Sequence, residues 1–187
     1  AYYGEPVDVK IETEFSRATE GGVGFAKAAG NYAAALYPAK LGQDKGYKQL
    51  IWTDSAEHKY IEESGTMNIM FHIGDTLVTP NLDFKTTLAG ITRDSALTLA
   101  KELGIKVEER RVSVAEVIEA AQNGTLKDVF GTGTAATIAQ VASITHEGTR
   151  YELPAVESRI LSNELDQLLQ DIKRGRVEDK HNWIYKI

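Results

Sequence analysis

Lys27 stands in "GGVGFAKAAGNYAAAL", residues 21–36, among neighbours that are mostly glycine or alanine. Such small residues let a backbone or a flat ligand approach closely. A lysine held there and kept from water loses affinity for its proton, because desolvation disfavours the ammonium. A neutral amine is what Schiff-base chemistry requires. The stretch does not make a phosphate loop: Ala26 stands where a glycine should precede the lysine, and Ala28 where Ser or Thr should follow it. The plain alternative is a solvated surface lysine.

Three more stretches carry groups with chemical potential. In "IEESGTMN", residues 61–68, adjacent Glu62 and Glu63 fall in a strand and point to opposite faces. One can then be solvated while the other faces a cavity. "AGITRD", residues 89–94, leads into a helix start. There free N–H groups, the helix dipole and the Thr92 hydroxyl together form a seat for phosphate; the alternative is an ordinary N-cap by Thr92. "GTGTAA", residues 131–136, matches G-x-G-x-x-A, but the residues after it alternate with period two and offer no helix N-terminus to a pyrophosphate. A glycine turn whose N–H groups nest an anion fits better. His58, His72, His146 and His181 lack metal-ligand spacing, and no metal site is expected.

Strands and interspersed helices must position these groups. Val7, Val9 and Ile11 alternate as in a strand, "QLIWT" reads as another, and "YIEESGTMNIMFHI" as a strand region broken at Ser64 and Gly65. Gly74 and Asp75 turn the chain into "TLVTP". "GITRDSALTLAKELGI" predicts a helix with Ala96, Leu97, Ala100 and Leu103 on its apolar face, stopped by Gly104. "KVEERRV" predicts a short strand. Ser113 and Glu116 form a capping box for the next helix, which closes at Gly124. Residues 127–144 read as strand, glycine loop and strand, and "HEG" turns into "TRYEL". Val156, Ile160, Leu165, Leu168, Leu169 and Ile172 predict a long amphipathic helix from Ala155 to about Lys173. The irregular order makes the fold class mixed α/β (α+β) rather than a regular βαβ series.

At 187 residues the chain can bury a sizeable core. A net charge of −6 argues against a nucleic-acid or anionic-membrane partner. The absence of cysteine excludes disulfides and thiolate chemistry and fits a cytoplasmic location. No apolar run approaches the length of a transmembrane helix. The chain starts at Ala1 and runs straight into strand-like sequence, so it is expected to be a piece of something longer.

A Schiff-base lysine, an inward carboxylate and two phosphate-type turns are together the parts of a pyridoxal-phosphate site. "GxAKxxGNYAAxL", "YIEESGTMN", "LAGITRD" and "FGTGTAA", in this order, resemble the branched-chain amino acid aminotransferases, which are fold-type IV pyridoxal-phosphate enzymes. The resemblance runs to the tail "RVEDKHNWIYKI". It implies the large domain of that fold, a mixed β-sheet or pseudo-barrel with surrounding helices. It also implies transamination of Leu, Ile and Val with 2-oxoglutarate, and a cytoplasmic homodimer or higher homo-oligomer.

By the same resemblance Lys27 is the Schiff-base lysine and proton shuttle. Glu63 pairs with the pyridine nitrogen, with Glu62 as its outward neighbour. Tyr32 meets the phenolic oxygen. Ile91, Thr92 and Thr134 seat the phosphate, and Thr66, Thr134 and Ala135 line the substrate pocket. Residues 1–20 correspond to the end of a small domain or the interdomain connection, and 21–187 to the large cofactor-binding domain. The family's small domain supplies an arginine to the phosphate and walls to the pocket, so the chain alone is expected to be nearly inactive. Two other classes fit less closely: another fold-type IV activity, such as a D-amino-acid transaminase or aminodeoxychorismate lyase, and a non-enzymatic binding module.

Overall fold

The structure is a computed structural model that describes residues 5–185. The first four positions of the 1–20 segment and the last two of the tail lie outside the described residues. Strands β1 (Val7–Ile11), β2 (Gln49–Thr53), β3 (Tyr60–Ser64), β4 (Asn68–Ile73) and β5 (Thr76–Pro80) fall where apolar alternation places them. The single strand expected over 106–112 is divided into β6 (Lys106–Arg110) and β7 (Val112–Ser113), and β8 (Leu126–Gly133), β9 (Thr137–His146) and β10 (Thr149–Glu152) follow. They join in one mixed sheet, ordered β6-β5-β4-β8-β9-β1-β2-β3-β7, with β10 beside β9.

Strand β9 is the hinge of the architecture. Its first half pairs antiparallel with β8, and its second half pairs parallel with β1. Strand β3 also packs on β4 and β5, and β7 on β5, so the sheet curls toward a barrel. Residues 7–11, within the stretch read as a connection, lie inside this sheet between β9 and β2.

Among the described residues four α-helices accompany the sheet: α1 (Ala29–Asp44), α2 (Ile91–Glu102), α3 (Val114–Gln122) and α4 (Ile160–Lys173). One core lies within the curl, around Val9, Ile51, Ile69, Phe71, Val129 and Ile144, and is sealed by Val117 and Ala120 of α3. On the other side Leu97 and Ala100 of α2 and Leu161, Leu165 and Leu169 of α4 bury Met70, Leu77, Phe130 and Ile138. Strands β4 and β8, between the two cores, are therefore apolar on both faces, as in a buried sheet. The tail folds back over these helices, with His181 Nε2 3.0 Å from Glu102 and stacked on Trp183.

Local chemistry accounts for the helix ends. The Glu116 N–H donates to Ser113 Oγ at 3.1 Å, half of the expected capping box. The other half is diverted, because the Glu116 carboxylate accepts from Arg110 instead. The helix predicted from Ala155 is interrupted: Val156–Ser158 make a 3-10 turn, and Arg159 is extended before α4 begins. Arg159 is buried, donates to the Pro154 and Val141 carbonyls and pairs with Asp128 at 3.3 Å, and reaching these partners breaks the helix. Helix α1 has no predicted counterpart. It buries only Pro38 and Gly42, leaving Leu36 and Tyr37 exposed.

Candidate active site

Lys27 sits at the end of an irregular segment running from the end of β1 to the start of α1. That segment is held by its own polar groups. Glu12 Oε1 accepts from the N–H groups of Thr13, Glu14 and Phe15, and Asn31 Nδ2 donates to the carbonyls of Val23 and Ala26 at 2.8 Å each. Asn31 thus folds the loop carrying Lys27 back over the first turn of α1. Gly24 packs so tightly that a Cβ there would lie 2.6 Å from the Ala18 Cβ and 2.8 Å from the Thr86 carbonyl oxygen. The small residues therefore bring the loop against the chain near Thr86. They do not cover the lysine, and Lys27 is exposed rather than kept from water.

Lys27, Glu63, Thr66, Ile91, Thr92 and Thr134 line one cleft of about 830 Å³, open mouth included. Of the other expected residues, Tyr32 lines an adjoining recess that shares Glu63, Thr66 and Leu88 with the cleft. Ala135 is exposed in the turn between β8 and β9 and is not among the lining residues. The "GTGTAA" glycines do not form the turn. Gly131 and Gly133 are strand residues of β8, and a Cβ on Gly131 would lie 2.8 Å from the Met67 Cε. Their small size admits Met67, and the turn consists of residues 134–136.

The phosphate-type seat takes the helical form. Gly90, not Thr92, is the N-cap of α2, so Ile91 and Thr92 belong to the first turn, where backbone N–H groups lack intrahelical acceptors. Asn68, which sequence reading quoted without a role, fixes this turn. It is buried, and its Nδ2 donates to the Leu88 carbonyl at 2.8 Å. A Cβ on Gly90 would collide with Asn68 Oδ1. Gly90→Ala should therefore displace Asn68 and loosen the α2 N-terminus. Overpacking of this kind costs about 1–3 kcal/mol, which thermal unfolding would show as a fall of several degrees in Tm. An unchanged Tm would mean that the turn yields freely.

Glu63 is buried in β3, and its Oε1 accepts from the Leu88 N–H at 2.6 Å. Its Oε2 lies 3.3 Å from Nε of Arg17, whose side chain is 8% exposed and which nothing in the sequence singles out. Burial pushes the Glu63 carboxyl up to about 7; Arg17, the Leu88 amide and Lys27 pull it down, and Glu62 adds to the rise. Glu62 is not the solvated neighbour expected from strand alternation. It is 6% exposed, and burial raises its carboxyl as well. The opposite face of β3 is covered, because Phe84, Pro80 and Thr86 close a small recess over Glu62.

The Glu63 value makes stability depend on pH. It exceeds the 4.5 of an unperturbed glutamate. Between the two values the folded chain retains a proton that the unfolded chain has lost, so stability falls as pH rises from about 4.5 to about 7. At about 1.4 kcal/mol per unit the loss is on the order of 3 kcal/mol. Glu63→Gln should remove this component, flattening the difference in denaturant-unfolding free energy between pH 5 and pH 8. Parallel pH curves for parent and variant would contradict the placement of Glu63.

Lys27, the buried Glu63 and the α2 N-terminus thus meet at one cleft on a mixed sheet. The Amino-transferase class IV family profile matches residues 24–144, and the chain belongs to that family. It is 44% identical over 187 residues to a probable branched-chain-amino-acid aminotransferase of Staphylococcus aureus (strain N315), covering 98% of this chain and 52% of the relative. The chain thus spans about half the length of the curated relatives it matches. The crystal structure of the Escherichia coli branched-chain amino acid aminotransferase superposes with a TM-score of 0.78 at 30% identity, over 96% of this chain and 55% of that one. The holo-form structure of the Thermobaculum terrenum enzyme shares the fold with a TM-score of 0.80 at 23% identity, over 97% and 55%. Among the described residues no helix is long and apolar enough to cross a membrane, and no group of side chains is arranged to hold a metal ion.

Proposed function

We propose that the full-length parent of this chain transaminates branched-chain L-amino acids (Leu, Ile, Val) with 2-oxoglutarate, using pyridoxal 5'-phosphate in the Lys27–Glu63 cleft, and that the 187-residue chain alone is nearly inactive. The observation that carries this reading is that Lys27, Glu63 and the first turn of α2 line one cleft. Support comes from the branched-chain aminotransferase names of the relatives and from the pyridoxal-phosphate form of the Thermobaculum structure.

The cleft's donor set fits that group. A buried carboxylate suits a protonated ring nitrogen, hydroxyls of Thr92 and Thr134 with the α2 N-terminus suit a phosphate, and an exposed amine at the mouth suits an aldehyde. Pyridoxal phosphate supplies an electron sink that makes the Cα proton of a bound amino acid acidic. Lys27 would hold the group covalently through Nζ, and in turn take the Cα proton and return it as general base and acid. Glu63 would keep the ring nitrogen protonated. Tyr32 would reach the phenolic oxygen from the adjoining recess. Ile91, Thr92 and Thr134 would hold the phosphate, and Thr66 with the Thr134–Ala135 amides would face the substrate.

The domain reading belongs to the same proposal, with residues 21–187 and β1 forming the cofactor-binding domain. So do a cytoplasmic location and a homodimeric or larger parent. The exposed Phe25, Leu36 and Tyr37 support an assembly. The test is incubation of the full-length parent, beside the 187-residue chain as the low-activity control, with pyridoxal phosphate, L-leucine and 2-oxoglutarate. The reading expects L-glutamate and the 2-oxo acid of leucine. D-glutamate from a D-amino acid donor, with no turnover of L-leucine, would assign another activity of this fold.

A further inference from the structure

Arg17 is the buried cation of the site. Its side chain is 8% exposed, and Nη2 donates to the carbonyl oxygens of Thr86 and, at 3.4 Å, of Gly24. Those two carbonyls fix the guanidinium in the wall that the Lys27 loop makes with the Thr86 segment. Its Nε faces Glu63 Oε2 at 3.3 Å yet makes no hydrogen bond. The contact is therefore one of charge more than of alignment. On the other side the Leu88 amide holds Glu63 Oε1. The carboxyl group is thus gripped at both oxygens by the wall, while the residue still lines the cleft shared with Lys27.

Glu62 sharpens the case. It too is buried, it too feels the Arg17 charge, and its Oε2 has no hydrogen-bond partner. One buried guanidinium therefore serves two adjacent buried carboxyls, and its Nε pairs with the one on the cleft side. A carboxylate enclosed without a paired cation takes up a proton instead. The charged groups around Glu63 are Arg17, Lys27 and Glu62. Of these Lys27 is exposed and Glu62 opposes ionisation, which leaves Arg17 as the fixed, always-charged partner.

We propose that Arg17 is a positioning residue that orients the Glu63 carboxyl group at the wall of the Lys27 cleft and opposes the protonation that burial favours. The catalytic meaning of this rests on the pyridoxal-phosphate reading above; the coupling of Arg17 to Glu63 does not. Arg17 need not touch the bound group. It acts by favouring, against burial, the Glu63 anion that would keep a ring nitrogen protonated over the neutral acid that cannot.

The experiment is a titration of the protein without added cofactor. Glutamate is labelled with carbon-13 at the side-chain carboxyl, the Glu63 signal is assigned by its loss in Glu63→Gln, and pH is varied from about 5 to about 9. An opposite charge at this range moves a carboxyl by about one to three pH units. Arg17→Gln should therefore raise the Glu63 midpoint by about one unit or more, and Arg17→Lys should restore much of the difference. A midpoint in folded Arg17→Gln within about 0.3 units of the parent, small against that expected shift, would overturn the proposal.

If Arg17→Gln does not fold, the parent alone decides. The Arg17 Nε–Hε resonance should move through the same midpoint as the Glu63 carboxyl, and a resonance that ignores that titration would overturn the coupling. A separate absorbance titration with pyridoxal phosphate distinguishes the two readings. Failure to bind it, with the Arg17-dependent midpoint intact, would remove the functional reading and leave the pairing of Arg17 with Glu63.

Discussion

Lys27→Ala in the full-length parent should reduce transamination of L-leucine to below about one hundredth of the unsubstituted rate. General acid–base catalysis by a positioned side chain contributes roughly two to four powers of ten, and the lost covalent attachment adds to the deficit. No other lysine lines the cleft among the described residues. The same variant should unfold at nearly the parental temperature, because Lys27 is exposed and exposed substitutions are within about 0.5 kcal/mol of neutral. Activity lost together with stability would point to a structural role. Activity retained above about a hundredth, less than the smallest loss expected, would place the proton shuttle elsewhere.

The second large effect is expected at Glu63. Glu63→Gln keeps the shape of the side chain, and the amide oxygen can still accept from Leu88. It removes the charge that faces Arg17 and, in the proposed site, the ring nitrogen. Cofactor affinity should change little while the rate of Cα proton removal falls by about two powers of ten or more, in the range of a lost preorganised electrostatic partner. A deuterium isotope effect on kcat with Cα-deuterated leucine should grow as this step becomes limiting. Glu62→Gln should leave the rate near that of the parent. The reason is not the solvation first expected. Glu62 lies in a small recess on the other face of β3, outside the cleft that Lys27 lines. Equal effects of the two substitutions would mean that the faces of β3 are reversed.

The four stretches that carry chemistry were legible because each pairs a reactive residue with a local constraint. Glu63 is set by strand alternation, and Ile91 and Thr92 by the start of a helix whose apolar face is periodic. Thr134 follows from a turn between two strands. What escaped depends on contacts distant in sequence or on patterns with no period. Helix α1 is rich in alanine and has no apolar stripe, since it buries only Pro38 and Gly42, and an internal proline reads as a break. Arg17 is a single arginine in a loop, and nothing local marks it as buried; its meaning comes from Glu63 and Thr86 far along the chain. Glu62 was misplaced because alternation identifies two faces of a strand but not what covers each. The glycines of "GTGTAA" were read as a turn, whereas they clear space for Met67, a contact across the sheet that a fingerprint cannot convey. Small neighbours suggest a shielded Lys27, but Gly24 uses its small size to pack against Ala18 and Thr86 and the lysine stays exposed.

The central claim is that Lys27 is the residue that takes pyridoxal phosphate, and one measurement tests it most directly. The protein is mixed with stoichiometric pyridoxal phosphate, reduced with borohydride, digested and mapped by mass spectrometry. A phosphopyridoxyl group is expected on the Lys27 peptide in near-stoichiometric yield, together with loss of the visible absorbance band on reduction. Label scattered over other lysines such as Lys40, Lys85 and Lys127, with Lys27 unmodified, would contradict it.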